Sequence, residues 1–325
     1  MNASKIILAG GSGFLGRSLA PALASKGYEV VILSRGESKT EGAIRTIHWD
    51  GKTLGAWAVE FEGAKAVVNL VGKNVNCRYT PANLAEINES RVHSVRATVK
   101  AINACQRPPE VWVQAASLAI FGDSGDRLCD ERSVPGIGIP VDTCLMWERA
   151  WSEGHTPRTR KVLLRMSFVL GEGGGVLRML VNLARFCLGG AVGSGRQGIS
   201  WIHVEDMNRL WIEAIENPAM SGVYNATSPH PVSNREFMGT LRSTLHRPWC
   251  PSTPAFLVPF GCWLLRTEPV LALTGRMGVP ARLLKEGFEF KYPDVGDALR
   301  QVLRSRKEIG LTIAAPELEP NARSE

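Results

Sequence analysis

The chain has 325 residues, of which 44% are hydrophobic and 21% are charged, and its formal net charge is +7. This composition excludes extensive disorder, because enough apolar side chains are present to build a sizeable core. The basic residues are scattered without a run of five, so the charge suits an anionic ligand such as a phosphate better than a dedicated nucleic-acid surface.

The first 34 residues predict one strand–turn–helix–strand unit. Lys5–Ala9 is an apolar run typical of a buried strand, and Gly10–Gly16 is a glycine-rich turn. Arg17–Lys26 has helical spacing of apolar residues, and Glu29–Leu33 is a second apolar strand. Such a unit is the first half of a doubly wound sheet.

The alternation of strands and helices continues to about residue 216. Further strands are predicted at Ala66–Val71, Val111–Ala115, Lys161–Phe168 and Trp201–Val204, and helices at Pro81–Ala104, Thr143–Glu153 and Glu205–Glu216. The pattern predicts an α/β fold with a Rossmann-type doubly wound parallel sheet and a smaller helix-rich C-terminal lobe. We expect the sheet domain over 1–170 plus 200–226, a small substrate lobe over 171–199 plus 227–313, and a flexible tail over 314–325.

The glycine-rich turn has the spacing G-x-x-G-x-x-G between a strand and a helix. One glycine permits the tight turn, one lets the backbone approach a pyrophosphate, and one lets the helix pack on the strand. The helix N-terminus adds N–H groups and a positive dipole. This pattern predicts a dinucleotide site formed by Gly10, Ser12, Gly13, Phe14, Leu15 and Gly16.

The residues after the second strand favour NADP(H) over NAD(H). NAD-preferring folds place a carboxylate there to bind the ribose hydroxyls, whereas this chain has Ser34 and Arg35. Arg35 can pair bidentately with a 2′-phosphate, and the alternative is a solvated surface arginine. Asp50, farther along, either approaches the adenine or serves as a turn residue.

Four later segments resemble the extended short-chain dehydrogenase/reductase superfamily. They are Val67–Gly72, Ala116–Gly122 (its S-x-x-x-[YF]-G element), Arg165–Gly171 (R-x-x-x-V-x-G) and Trp201–Asp206 (W-I-H-x-x-D). A narrower resemblance, to the atypical sugar-nucleotide epimerase-like family often labelled a cell-division-inhibitor homologue, is carried by Cys144–Glu148, Gly189–Gln197 and Phe288–Pro293. It covers about residues 4–304 and includes the C-terminal domain of that family.

This resemblance implies bound NADP(H), without an established reaction. It implies cofactor contacts at Ser34, Arg35, Leu70, Val71, Glu86, Arg91 and Val169. For Glu86 and Arg91 the alternative is an ion pair with each other on the helix surface. The loop with Arg196 resembles a substrate-lobe loop in which an arginine meets a phosphate.

The catalytic Tyr-x-x-x-Lys pair of the superfamily is missing. The four tyrosines are Tyr28, Tyr79, Tyr224 and Tyr292, and the expected positions fall near Cys144 and Glu148. A nearby Glu148 would raise the pKa of the Cys144 thiol. Glu148 itself is either a polar anchor or a general base. Ser117 remains where the substrate-polarising serine belongs, so we predict it as the catalytic residue, with a structural hydroxyl as the alternative.

Two functions remain open. The first is an NADP(H)-dependent reductase or epimerase acting on an unidentified small substrate, for which a nucleotide sugar is one candidate class. The second is a non-catalytic NADP(H)-binding redox sensor or regulator. We expect a cytoplasmic protein with free thiols, because no secretory signal is evident and the seven cysteines form no Cys-x-x-Cys pair. No metal site, membrane segment or nucleic-acid partner is expected, and the sequence does not indicate the oligomeric state.

Overall fold

The computed structural model of the protein describes residues 4–308, with side chains through residue 304. The strands are β1 (Lys5–Ala9), β2 (Glu29–Ser34), β3 (Lys39–Glu41), β4 (Ile44–His48), β5 (Ala66–Asn69), β6 (Val111–Ser117), β7 (Leu128–Cys129), β8 (Arg160–Met166), β9 (Phe168–Leu170), β10 (Gly198–Ile199), β11 (Trp201–His203), β12 (Gly222–Ala226), β13 (Val232–Ser233) and β14 (Met277–Gly278). The α-helices are α1 (Phe14–Ser25), α2 (Pro81–Ala104), α3 (Ile139–Glu153), α4 (Gly175–Arg185), α5 (Val204–Glu216), α6 (Asn234–Thr244), α7 (Val258–Leu264), α8 (Val270–Leu273), α9 (Ala281–Lys285) and α10 (Val295–Glu308). Short 3-10 helices cover Ala56–Phe61, Leu118–Phe121 and Ala255–Leu257.

Eight strands form one sheet in the order β12-β8-β6-β5-β1-β2-β4-β3. All neighbouring pairs are parallel except the edge pair β3–β4. The strand order reverses between β1 and β5, and ligands of such sheets bind beyond the carboxyl ends of the strands at this point. The predicted Rossmann-type doubly wound fold is therefore confirmed.

The sheet is buried on both faces. Helix α1 packs with α5, and α2 packs with α3, so each face is covered by helices. The central strands are continuous apolar runs because neither face meets water, as Ile6, Ile7 and Leu8 of β1 show by their complete burial.

A second hydrophobic cluster belongs to the helical part of the chain. It joins α4, α6 and α10, and its largest members include Leu177, Phe237, Leu241 and Leu299. Trp201 and Leu170 also belong to it, so the chain between the sheet and the helices contributes to this core. The C-terminal region is helical, as predicted. The exact domain boundaries stay predictions, and the expected tail 314–325 lies outside the described residues.

Several predicted boundaries were wrong, because apolar runs do not show where a strand changes partners or where a turn gives way to regular structure. The predicted strand Lys161–Phe168 is two strands, because the chain leaves the main sheet at Ser167 and β9 pairs with β11 instead. Helix α1 begins at Phe14, three residues before its predicted start. The predicted strand Ala66–Val71 ends at Asn69, whose side chain turns back to accept the Val71 N–H.

Candidate functional site

The glycine-rich turn is closely packed at both of its ends. Gly10 adopts φ +75°, and a Cβ there would lie 2.9–3.0 Å from Val71. A Cβ on Gly16 would lie 2.1 Å from the carbonyl oxygen of Gly11. By contrast, a Cβ on Gly13 would find only one atom within 4 Å, at 3.7 Å. The turn therefore needs Gly10 and Gly16 for its own packing, whereas Gly13 faces open space.

The N-terminus of α1 carries no side-chain cap. Gly13 is the N-cap residue, and both it and Ser12 are exposed. The first-turn N–H groups of a helix need acceptors, and here none comes from a capping side chain. Phe14 packs against the next glycine-rich loop, because a Cβ on Gly174 would lie 2.4 Å from its ring. The helix start is thus fixed in place with its positive end directed outward.

The residue after β2, Arg35, is positively charged, and no described carboxylate forms an ion pair with it. Ser34 is buried, and its hydroxyl accepts the Gly36 N–H at 3.3 Å. Arg35 is exposed, and it forms no hydrogen bond or ion pair with any described side chain. Asp50 is a turn residue, because its carboxylate accepts N–H groups of Lys52 and Thr53 at 2.9 and 2.8 Å.

The end of β5 lies beside the glycine turn and is held by a buried polar network. The Asn69 amide donates to Gln114 Oε1 at 3.0 Å and to Ser94 Oγ at 3.3 Å. The N–H of Leu70 donates to the carbonyl of Ala9 at 2.8 Å. Leu70 and Val71 are therefore brought to the switch point, next to Gly10.

Glu86 and Arg91 do not form the surface ion pair considered from the sequence. Glu86 is exposed and pairs with Lys73, which follows β5. Arg91 is buried, donates to the carbonyl oxygens of Ile87 and Lys73 at 2.8 and 3.2 Å, and lies 4.9 Å from the ring centroid of Trp147. That alternative was wrong because the helix turns Arg91 inward over an aromatic ring.

Ser117 and Cys144 both adjoin the short helix that follows β6. The Ser117 hydroxyl accepts the Ala119 N–H at 3.1 Å, which caps the short helix Leu118–Phe121. Cys144 of α3 packs against the same short helix and is 3% exposed. Burial, and to a smaller extent the nearby Glu148, raises the pKa of the Cys144 thiol to about 12. The thiol therefore keeps its proton at neutral pH and is not a thiolate nucleophile.

Glu148 is a polar anchor for an arginine. Its two oxygens accept from Nε and Nη2 of Arg165 on β8, both at 2.8 Å, in a bidentate pair. The two side chains are only 15% and 10% exposed. This geometry occupies both carboxylate oxygens and ties α3 to the central sheet.

The W-I-H-x-x-D segment joins the sheet region to the C-terminal part of the chain. His203 is buried, its Nδ1 accepts the Glu205 N–H at 3.1 Å, and its Nε2 lies 2.8 Å from Gln301 Oε1. The fully buried Asp206 accepts the N–H groups of Lys291 and Tyr292 at 2.8 and 2.9 Å. His203 is thus a core histidine with both nitrogens satisfied.

The buried His203 predicts a pH dependence of stability. Burial lowers its pKa below the ordinary 6.5, although the hydrogen bond to Gln301 and the charges of Asp206 and Glu205 act in the opposite direction. The unfolded chain therefore binds more protons below pH 6.5, so this stability is complete above that pH and is lost as the pH falls through the lowered folded value. We expect His203 to contribute a decline of up to about 1.4 kcal/mol per pH unit in the free energy of unfolding.

Denaturant titrations on both sides of pH 6.5 measure this decline. His203→Gln should flatten it, whereas His155→Gln, a change at an exposed histidine, should follow the wild type. An equal decline in the wild type and His203→Gln would assign the dependence to other groups.

Two family models of known proteins match different stretches of this chain. The sequence model described as "NAD dependent epimerase/dehydratase family" matches residues 6–227, which include the glycine turn and all of the eight-stranded sheet except Lys5. The chain belongs to this family. A second model, described as a domain of unknown function (DUF1731), matches residues 253–302. These matches confirm the resemblance inferred from the sequence, including the family-specific C-terminal domain.

Individual epimerase family proteins are similar over nearly the whole chain. The Arabidopsis thaliana protein "Epimerase family protein SDR39U1 homolog, chloroplastic" is 34% identical over 92% of this chain and 86% of its own. The Bacillus subtilis protein YfhF is 32% identical over 94% of this chain and 99% of its own. The crystal structure of human SDR39U1 (isoform 2) with NADPH is 29% identical, with TM-score 0.82, and covers 92% of this chain and 99% of that one.

Three further observations concern the thiols, the metal-ligating groups and the helix lengths of the described residues. All seven cysteines are free thiols. Within residues 4–304, no three His, Cys, Asp or Glu side chains are grouped to hold a metal ion. None of the described helices is both long and apolar enough to cross a membrane. Cytoplasmic localisation stays a prediction, and one similar protein is named as chloroplastic.

Proposed function

We propose that the protein binds NADP(H) beyond the carboxyl ends of the central strands. The observation that carries this proposal is the uncapped start of α1 behind a closely packed glycine turn at the strand-order reversal. The pyrophosphate would lie over the turn residues Gly10, Ser12, Gly13, Phe14, Leu15 and Gly16. The similarity to human SDR39U1, whose crystal structure is with NADPH, supports the same cofactor here.

The remaining proposed contact residues fall into two groups, one at each end of the cofactor. Ser34 and the unpaired Arg35 would hold the 2′-phosphate of the adenosine ribose. Leu70, Val71 and Val169 would line the nicotinamide end, with Glu86 and Arg91 on the α2 side. When bound, the nicotinamide supplies or accepts a hydride. The residues present fit this cofactor, because the turn leaves room for a pyrophosphate and no carboxylate within residues 4–304 pairs with Arg35.

We further propose that the protein is a reductase or epimerase that acts on an unidentified small substrate of nucleotide-sugar type. Ser117 would orient the reacting oxygen of the substrate by hydrogen bonding. Because burial keeps the Cys144 thiol protonated, the tyrosine position of the superfamily retains a proton but loses the lysine that tunes it. The proposed cofactor domain comprises 1–170 plus 200–226, and the proposed substrate lobe comprises 171–199 plus 227–313.

A second candidate function is a non-catalytic NADP(H)-binding redox sensor or regulator. It is favoured by the structural hydrogen bonds made at two positions where the superfamily has catalytic residues. Ser117 caps a short helix, and Glu148 is locked to Arg165. Oxidation of NADPH with any carbonyl substrate supports the enzyme, whereas tight binding without turnover across a broad substrate panel supports the regulator.

A fluorescence titration of nucleotide-free protein with NADPH and NADH tests the cofactor proposal. We expect Arg35→Ala to weaken NADPH binding by about 1.5–3 kcal/mol, or roughly 10- to 150-fold, because it removes a charged hydrogen bond to the 2′-phosphate. NADH lacks this phosphate, so its affinity should hardly change.

Arg17→Ala is a matched control, since Arg17 is also exposed but donates to the Ser12 carbonyl at 2.8 Å. It should not separate the two nucleotides. Equal losses for NADPH and NADH in Arg35→Ala would refute the contact of Arg35 with the 2′-phosphate. No binding of either nucleotide by the wild type would refute the cofactor itself.

A further inference from the structure

Two segments of the helical region, residues 187–193 and 250–253, run side by side in the same direction. The Thr253 N–H donates to the Ala191 carbonyl at 2.8 Å, and the Gly193 N–H donates to the Thr253 carbonyl at 2.8 Å. These two bonds form a parallel β-bridge. The backbones of the two segments are therefore held in a fixed register.

Each segment begins with a cysteine, and the two cysteines are in contact. The Cys250 thiol donates to the Cys187 carbonyl, with 2.7 Å between sulfur and oxygen. Standard bond lengths on either side of this contact place the two Cα atoms no more than about 8 Å apart. Disulfides join cysteines whose Cα atoms are usually about 4.4–6.8 Å apart. Rotation of the side chains and a small shift of the two segments would therefore bring the thiols, 63 positions apart in sequence, within bonding distance.

The backbone at Cys187 is fixed by the end of α4. The Cys187 N–H donates to the Ala184 carbonyl at 3.3 Å, and the Leu188 N–H donates to the Leu183 carbonyl at 2.9 Å. Cys187 adopts φ 59°, the left-handed conformation that often follows the last turn of a helix. The residue is exposed. The helix end thus holds this cysteine on the surface, where a small oxidant in solution reaches it.

The chain around Cys250 is packed against the same stretch of backbone. A Cβ on Gly190 would lie 1.8 Å from the carbonyl oxygen of Pro251, the residue after this cysteine. The Arg242 side chain of α6 donates to the Gly189 carbonyl. Contacts on both sides therefore limit how far the two thiols can separate.

The other five cysteines do not form such a pair. Within residues 4–304, no other two cysteines are joined by a hydrogen bond. Four of the five are buried, namely Cys105, Cys129, Cys144 and Cys262, and Cys77 is partly exposed. Redox-sensing cysteines are solvent-accessible and often lie next to a second, resolving cysteine. Cys187 and Cys250 meet both of these conditions.

We propose that Cys187 and Cys250 are a redox modification site, at which a hydroperoxide converts the two thiols into a reversible disulfide. The Cys187 sulfur attacks one peroxide oxygen, the O–O bond breaks, and the thiol proton leaves with the other oxygen as water or an alcohol. Cys187 is then a sulfenic acid. The Cys250 sulfur attacks the Cys187 sulfur, the S–O bond breaks, and the second thiol proton leaves with the released hydroxyl as water. Two electrons pass from the thiols to the peroxide, and exchange with a dithiol restores both thiols.

The disulfide would tie the end of α4 to the chain that leads into α7. Segment 187–193 continues into the loop that carries Arg196, and segment 250–253 continues into the short helix Ala255–Leu257 and then α7. Oxidation would therefore restrain these two parts of the chain relative to each other. Neither cysteine is among the residues proposed to contact NADP(H), so this proposal does not rest on the proposed function.

Oxidation of reduced, nucleotide-free protein with a stoichiometric amount of hydrogen peroxide tests the site. The remaining thiols are alkylated in denaturant and counted, and the peptides are mapped by mass spectrometry. We expect seven thiols minus two, or five, after oxidation, and seven again after treatment with dithiothreitol. After trypsin, the cross-linked peptides should be 186–196 and 243–266. Fragmentation of the second peptide distinguishes Cys250 from Cys262.

Cys250→Ser isolates the first step of the oxidation. It removes the resolving thiol, so the sulfenic acid at Cys187 should persist and be trapped by dimedone, with at least about tenfold more labelled Cys187 than in the wild type. Cys77→Ser, a change at the other partly exposed cysteine, should form the disulfide as the wild type does. The oxidised wild type should unfold about 3–6 °C above the reduced protein, because the cross-link closes a long loop in the unfolded chain.

Three results would overturn the proposed redox site. One is a count of seven thiols after oxidation. Another is a disulfide between other cysteines, or a covalent dimer on a non-reducing gel. The third is an oxidised protein that unfolds at a lower temperature than the reduced one, because the two segments would then have to leave their native positions to form the bond.

Discussion

Replacing Glu148 with alanine is expected to lower the free energy of unfolding by about 3–5 kcal/mol, which is the cost of leaving a buried charge without its partner. The Arg165 guanidinium is only 10% exposed and already has one nitrogen, Nη1, without a hydrogen bond. Loss of Glu148 would leave two further N–H groups unpaired. Chemical denaturation monitored by tryptophan fluorescence measures the change.

Glu153→Ala is a matched control on the same helix. Glu153 also pairs with an arginine, Arg149, at 2.7 Å, but the two side chains are 63% and 77% exposed. Water screens such a pair, so its loss should cost no more than about 1 kcal/mol. Similar losses for the two variants would contradict a structural role of the Glu148–Arg165 pair.

Glu148→Gln distinguishes the anchor from a general base. The amide keeps the shape and one acceptor, so part of the stability should be retained. If Glu148→Gln unfolds like the wild type yet abolishes a turnover found in the substrate panel, Glu148 has a catalytic role that its pairing with Arg165 does not suggest.

Gly16→Ala is expected to abolish measurable NADPH binding and to destabilise the protein by about 1–3 kcal/mol, the cost of forcing an extra methyl group into closely packed structure. The added Cβ would lie 2.1 Å from the Gly11 carbonyl oxygen and 2.4 Å from its Cα. Both are backbone atoms, so helix α1 must move away from the turn. That movement would displace the N–H groups proposed to hold the pyrophosphate.

Gly13→Ala separates binding from folding within the same turn. Its Cβ would have one neighbour, the Gly10 carbonyl oxygen at 3.7 Å, and its φ of −76° suits any residue. Stability should stay within about 1 kcal/mol of the wild type, the usual range for this change at a helix N-cap. NADPH affinity should nevertheless fall about tenfold or more, because the methyl group would occupy the approach of the pyrophosphate.

Fluorescence titration with NADPH and thermal unfolding of the two variants give the comparison. Binding of NADPH by Gly13→Ala with wild-type affinity would show that the pyrophosphate does not approach this glycine. Normal stability of Gly16→Ala would show that α1 does not rest on the turn as described.

The local sequence pattern was sufficient to predict the strand–turn–helix–strand unit at the start of the chain. The glycine spacing, the apolar runs of β1 and β2, and the residues after β2 lie within about 35 consecutive positions. Their geometry depends on neighbours in sequence, since a strand, a turn and a helix N-terminus are built from local backbone bonds. The parallel order of the sheet followed from the alternation of strands and helices, because such crossovers have few arrangements.

The sequence by itself therefore determined the α/β class, the glycine-rich turn between β1 and α1 and the absence of a Tyr-x-x-x-Lys pair. Only the tertiary structure decided that Arg91 lies over Trp147 and that Glu148 pairs with Arg165. It alone brought the Asp206 carboxylate to the backbone N–H groups of Lys291 and Tyr292, 85 and 86 positions away along the chain. No local pattern encodes such contacts, because the partner of a charged side chain is set by how distant elements pack and by which charges they remove from water.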